Sequence, residues 1–133
     1  MYNDITIGSW ITINNESVVE VLSETGFDWL CIDMEHSSID FNDTQKLILT
    51  IQSKNLKAFV RVGKNDSLLI KRVLDSGADG LIVPMVNSKH DVDNIINSSF
   101  YPPIGKRGVG LARAQGYGFN FETYKNQKQK EIK

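Results

Sequence analysis

Short apolar runs alternate with amphipathic stretches four times along the first hundred residues. Residues 5–13 form a β-rich segment interrupted by Gly8. Residues 16–25 carry Val18, Val21 and Leu22 at helical spacing, and Gly26 stands where such a helix stops. Trp29-Leu30-Cys31-Ile32 then runs straight into Asp33, Met34, Glu35 and His36. A short apolar run without alternation reads as a strand buried on both faces, as in a parallel α/β sheet. Asp40 or Asn42 can cap the next helix, whose inner stripe is Leu47, Ile48 and Ile51. Residues 57–61 are the third strand, with Ala58, Phe59 and Val60 as its apolar part. Residues 67–76 are the third helix, with Leu69, Ile70, Val73 and Leu74 on one side and Gly77 as its stop. Residues 81–84 predict a fourth strand, and residues 88 to about 97 a fourth helix bearing Val92, Ile95 and Ile96.

The pattern repeats faintly. Val21-Leu22-Ser23-Glu24-Thr25-Gly26-Phe27-Asp28-Trp29-Leu30 resembles Val73-Leu74-Asp75-Ser76-Gly77-Ala78-Asp79-Gly80-Leu81-Ile82. Each is a helix end, a glycine, an aspartate and a strand, and such short connections suit right-handed βαβ units. They do not separate an open sheet from a barrel. After Phe100 the character changes. Tyr101-Pro102-Pro103-Ile104-Gly105-Lys106-Arg107-Gly108-Val109-Gly110 is rich in turn formers, and its glycines and cations suggest a loop that approaches a ligand. The chain thus divides into four βα units (1–100), a glycine-rich loop (101–118) and a polar helical tail (119–133) whose lysines, Lys125, Lys128, Lys130 and Lys133, read as a solvated face.

Composition narrows the function. A chain of 133 residues allows one domain and little more. Hydrophobic residues at 41% and charged residues at 23% are the mix of a globular chain. The net charge of -1 gives no general reason to expect nucleic acid or an anionic membrane as partner. No apolar run approaches the roughly 20 residues that span a bilayer. The start, Met1-Tyr2-Asn3-Asp4, lacks the basic residues and apolar core of a signal peptide, so the cytoplasm is the expected location. Cys31 is the only cysteine, which rules out an intrachain disulfide and reads as a small buried hydrophobe.

Three segments together carry a resemblance. They are residues 27–36, then Val60-Arg61-Val62 with residues 70–86, then residues 101–110. In order and spacing they resemble the HpcH/HpaI aldolase family of metal-dependent pyruvate aldolases. The resemblance implies a TIM (β/α)8 barrel, which needs roughly 250 residues. Four βα units are present, so the expected fold is α/β, a half-barrel truncated before strand 5. This implies a truncated product, an incomplete reading frame or one piece of a split protein. The family's metal-binding glutamate and aspartate would both fall beyond Lys133. The implied activity is reversible cleavage of a 4-hydroxy-2-oxo acid to pyruvate and an aldehyde. The implied cofactor is Mg²⁺ or Mn²⁺, and the implied assembly is a homo-oligomer or association with a missing C-terminal half.

The resemblance also assigns roles. His36 matches the base that takes the substrate's hydroxyl proton, and an imidazole's ordinary pKa of about 6.5 suits that task. A lone histidine at a strand end can equally cap a backbone group. Arg61 matches the arginine that holds a carboxylate or enolate oxygen in its planar fork, against the plain alternative of a surface ion pair. Asp75 matches the acid that orients the base. By its own position it is a helix-end acid near the unfavourable pole of the dipole, which itself asks for a partner. These three are the expected catalytic residues, converging at one rim. Asp33 and Glu35 either support a metal ligand, hold His36 or form structural ion pairs, and neither is named as a ligand. For Arg107 and Arg113, a loop charge and a substrate contact stand level. Gly108-Val109-Gly110 is no dinucleotide fingerprint, because the G-x-G-x-x-G spacing fails.

Two rival expectations remain. The chain is an aldolase module with little or no activity without its other half, or a non-catalytic half-barrel remnant or assembly subunit whose open edges pair with another chain. A flavodoxin-like binding domain is the weaker third, since Asn14-Asn15-Glu16-Ser17 offers no phosphate loop after the first strand.

Overall fold

The computed structural model describes residues 5–133; the reading of residues 1–4 as the start of no signal peptide falls outside them. Four strands, β1 (Gly8–Ile11), β2 (Trp29–Asp33), β3 (Lys57–Arg61) and β4 (Gly80–Ile82), form one sheet in the order β1-β2-β3-β4. All three pairings are parallel. The helices α1 (Glu16–Ser23), α2 (Phe41–Ser53), α3 (Ser67–Asp75) and α4 (Lys89–Ser99) connect and follow them. Consecutive helices pack on one another, α1 on α2, α2 on α3 and α3 on α4. A strand order that never reverses, with its helices side by side in one layer, is the beginning of a barrel. A flavodoxin-like sheet reverses direction, so that reading is set aside.

Strand parity divides the residues. Ile11, Leu30, Ile32, Ala58 and Val60 join Val19, Leu47, Ile48, Ile51 and Val73 in the core between sheet and helices. The alternate positions, Trp10, Trp29, Cys31, Asp33, Phe59 and Arg61, share the opposite face. There the Trp29 and Phe59 rings lie 5.4 Å apart, over Gly8 and Gly80. A Cβ at Gly8 would stand 2.0 Å from the Trp29 indole. Gly8 therefore begins β1 rather than interrupting a strand over 5–13.

The helix starts are built from acids and amides. Asp40, not Asn42, caps α2: its carboxylate accepts from Asp43 N–H, and Asp43 reaches back to complete a capping box. Asn15, Asp66 and Ser88 cap α1, α3 and α4. Gly26 and Gly77, at φ of +83° and +96°, turn the chain out of α1 and α3 as their positions suggested.

The tail departs from expectation. A helix α5 covers only Phe121–Asn126, and a 3₁₀ turn follows at Lys128–Glu131. The last residue then runs beside β4: Lys133 N–H donates to the Asp79 carbonyl at 3.2 Å, and Leu81 N–H donates to the Lys133 carbonyl at 2.9 Å. Hydrogen bonding to an open sheet edge outweighs continuation of a polar helix. No helix among the described residues is long and apolar enough to cross a membrane.

Candidate active site

β2 and β3 end side by side, with Asp33 opposite Arg61. This register delivers a carboxylate and a guanidinium to the C-terminal rim of the sheet. Arg61 Nε donates to Asp33 Oδ1 at 2.9 Å and Nη2 donates to Oδ2 at 2.5 Å. The chain beyond β2 wraps around the same carboxylate, since Glu35 and His36 N–H donate to Oδ1 at 3.0 and 3.1 Å. Asp33 is 2% exposed. The Arg61 hydrogen bond, reinforced by the two backbone N–H groups, lowers its pKa from 3.8 to about 2. The same bond raises the Arg61 pKa.

Glu35 sits between the two candidate functional groups. Its Oε2 is 3.4 Å from Arg61 Nε, and its Oε1 is 3.6 Å from His36 Nε2. The Arg61 guanidinium also lies over the Trp10 ring, 4.5 Å from its centre. Clamped by Asp33 along one edge and backed by an indole, the guanidinium has little freedom. No described residue accepts from its Nη1, so an edge remains for an incoming anion. The His36 side chain is 69% exposed and open to a substrate.

Asp75 is not part of this rim, which corrects the expected convergence. It is the last residue of α3, and α3 runs back from the end of β3 to the beginning of β4. Nine helical residues span about 13 Å, so its carboxylate lies toward the opposite end of the sheet. There Asp75 Oδ1 accepts from Arg107 Nη2 at 2.5 Å and from Gln115 Nε2 at 3.4 Å. Arg107 is buried, donating from Nη1 to the Ser99 carbonyl and the Tyr124 hydroxyl, with Tyr101 alongside. It is neither loop charge nor rim contact. The cation that an acid at a helix C-terminus requires is supplied by residue 107. Arg113 is structural as well, donating to Gln52 Oε1 at 2.7 Å and to the Ser76 carbonyl at 3.0 Å.

The family model for HpcH/HpaI aldolase/citrate lyase matches residues 6–132. The chain belongs to that family. It is 38% identical over 113 residues to a 2-dehydro-3,6-dideoxy-6-sulfogluconate aldolase of Pseudomonas putida, covering 84% of this chain and 44% of the relative. It is 37% identical over 113 residues to a hydroxypyruvate/pyruvate aldolase of Roseobacter denitrificans, with the same coverage of 84% and 44%. The solved structure of an HpcH/HpaI aldolase/citrate lyase family protein from Burkholderia cenocepacia superposes with a TM-score of 0.87 at 31% identity, covering 96% of this chain and 52% of that one. The chain thus spans about half the length of these relatives.

Among the described residues, no three His, Cys, Asp or Glu side chains converge to hold an ion. Asp33 is the nearest in kind, but three hydrogen bonds already fall on its Oδ1 and one on its Oδ2. The donors among the described residues do not fit a divalent ion by themselves. Sequence reasoning left Asp33 undecided and passed over Trp10. The signal for both was strand parity: Trp10 pairs with Cys31 in register, and Asp33 with Arg61.

Proposed function

We propose that this chain carries the proton-transfer and anion-anchoring half of an aldolase site, one that reversibly cleaves a 4-hydroxy-2-oxo acid to pyruvate, or a close relative, and an aldehyde. The observation that carries this reading is the half-occupied guanidinium of Arg61 beside the open imidazole of His36. The names of the relatives, aldolases of hydroxypyruvate and pyruvate and of 4-hydroxy-2-oxovalerate, support the substrate class.

In this reading the substrate's carboxylate or 2-oxo oxygen takes the free Nη1 edge of Arg61. His36 accepts the proton of the 4-hydroxyl. The bond between C3 and C4 then breaks, the aldehyde forms, and the electron pair passes into an enolate. Negative charge builds on the enolate oxygen, where a fixed guanidinium stabilises it more than it stabilises the ketone. A proton delivered to C3 completes pyruvate. Glu35 Oε1, 3.6 Å from His36 Nε2, holds the ring beside Arg61. We assign the ligands of the family's Mg²⁺ or Mn²⁺ to residues other than these 133. Asp75 serves here as a positioning residue for the 101–118 loop, and its pairing with a His36 requires a second copy of the chain.

Pyruvate titrated into the isolated chain tests the anchor. The Trp10 indole N–H resonance should shift saturably, and the shift should vanish in Arg61→Met. Unchanged shifts in that variant refute the anchor role. A pyruvate-release assay with Mg²⁺ or Mn²⁺ should give little turnover from residues 1–133 alone. Robust turnover abolished by His36→Ala would keep the base and overturn the need for a second half. The rival reading, an assembly subunit, draws on exposed apolar groups such as Ile82 and Met85, 36% and 79% exposed.

A further inference from the structure

The loop at residues 105–108 meets the helical layer at a second place, away from the rim. A groove of about 530 Å³ lies there between α3 and α4, lined by Ser67, Lys71, Asn94, Asn97, Lys106 and Arg107 among others. Lys71 and Lys106 are its free cations, the Arg107 guanidinium being buried and paired with Asp75, and no acidic side chain lines it. Neither Lys71 nor Lys106 makes an ion pair with a described residue, and unlike the unpaired lysines of the tail both line one groove. The backbone on which Lys106 rides is fixed: its N–H donates to the Asn97 carbonyl at 2.7 Å, and Arg107 N–H donates to the Phe100 carbonyl at 3.0 Å. Ser67 and Asn94 are already joined, hydroxyl to side-chain carbonyl, at 3.0 Å.

A separate observation concerns Arg107. Its side chain is wholly buried, and its Nε is the one buried side-chain nitrogen or oxygen among the described residues without a hydrogen-bond partner. A guanidinium N–H without an acceptor is costly in a protein interior. Its Nη1 and Nη2 bond to Ser99, Tyr124 and Asp75, which fixes the stretch of groove wall that carries Lys106.

We propose that this groove binds a small phosphate group, held by the ammonium groups of Lys71 and Lys106. Two lysines without a carboxylate partner, in a groove that no acid lines, match a compact oxyanion with several acceptor oxygens. The volume admits a phosphate or a small phosphomonoester. The site stands on the outer helical layer and does not depend on the aldolase reading of the rim.

Inorganic phosphate titrated into the whole chain, with chloride at matched ionic strength as the reference, is the test. Amide resonances of Lys71, Lys106 and Gly108 should shift saturably with phosphate and not with chloride. Lys71→Ala and Lys106→Ala should each weaken binding about fivefold or more, since each removes a charge-assisted contact. Lys89→Ala, at a lysine already paired with Asp93, should leave binding unchanged. Both lysines are on the surface, so the variants keep the fold. Glycerol phosphate in the second arm separates the sources: tighter binding than phosphate assigns a phosphorylated small molecule, and exclusion assigns the free ion. Absence of saturation, an equal response to chloride, or binding unchanged in both lysine variants overturns the proposal.

Discussion

Replacing Asp33 by asparagine keeps the side chain's shape and removes its charge, so it isolates what the ionised clamp contributes. In the folded chain the Asp33 pKa lies at about 2, against an ordinary 3.8. A carboxyl group whose folded pKa is depressed stabilises the fold at pH values above its unfolded pKa. That stabilisation is lost as the pH falls through 4 toward 2. The difference corresponds to about 2 kcal/mol. The substitution also leaves Arg61 without its bidentate partner. Breaking a fully buried pair costs about 3–5 kcal/mol, but the Arg61 side chain is 24% exposed and Glu35 remains nearby. The total at pH 7 is therefore about 2–3 kcal/mol.

Urea unfolding followed by circular dichroism reads this directly. With a slope of about 2 kcal/mol per molar urea, the midpoint of Asp33→Asn should fall by about 1–1.5 M at pH 7. The gap between wild type and variant should then narrow by about 2 kcal/mol as the pH is lowered from 4.5 to about 2. A double-mutant cycle with Arg61→Gln should return a coupling energy of about 2 kcal/mol, because the two side chains share two hydrogen bonds. A gap that stays constant across the whole pH range would refute the ionised-clamp reasoning, whatever its size at pH 7.

Asp75→Asn strands the buried Arg107 guanidinium. It should lower the thermal midpoint by about 10 °C, and adding Arg107→Met should recover part of that loss. Gly8→Ala forces a Cβ into the space of the Trp29 indole and should cost about 1–3 kcal/mol, with a changed near-ultraviolet spectrum; an unperturbed spectrum would show that the two groups are not in contact. Cys31 is fully buried, and burial raises its thiol pKa to about 12. An aromatic disulfide reagent at pH 8 should leave it unmodified in the native chain and label it fully in urea, whereas fast native labelling would place the thiol at the surface.

Much of the architecture was legible because it rests on local periodicity. Unbroken apolar runs marked β2 and β3, and the i, i+3, i+4 stripes marked α2 and α3, where burial and propensity agree. The choice between Asp40 and Asn42 stays open in the sequence because each has a capping partner three residues on, Asp43 and Gln45; the fold selects Asp40. The tail was illegible for the opposite reason. Residues 127–133, with Ile132 their one apolar side chain, offer a helix no apolar stripe to bury, and their outcome is set by the open edge of β4, some fifty residues earlier in the chain. Trp10 was hidden because its partner Arg61 lies across two strand registers that no single segment reveals.

Asp75 shows how a sound physical signal can find a different partner within one chain. An acid at the C-terminal end of α3 is disfavoured by the helix dipole, and that much was readable. The remedy must be a permanent cation within hydrogen-bond reach. Arg107 meets that demand from 32 positions along the chain, at 2.5 Å. His36 meets neither condition within one chain, because an α/β unit sends its helix ends and its strand ends to opposite sides of the sheet. The same topology separates two kinds of effect. The Asp33–Arg61 clamp joins the chemistry of the rim to the stability of β2 and β3, so a change there moves both. The Asp75–Arg107 latch ties α3 to the glycine-rich loop, so a change there acts on the rim only through the placement of that loop. Pyruvate-induced shifts at Trp10 that survive Asp75→Asn would fit this division, and their loss in a variant that remains folded would bring Asp75 back to the site.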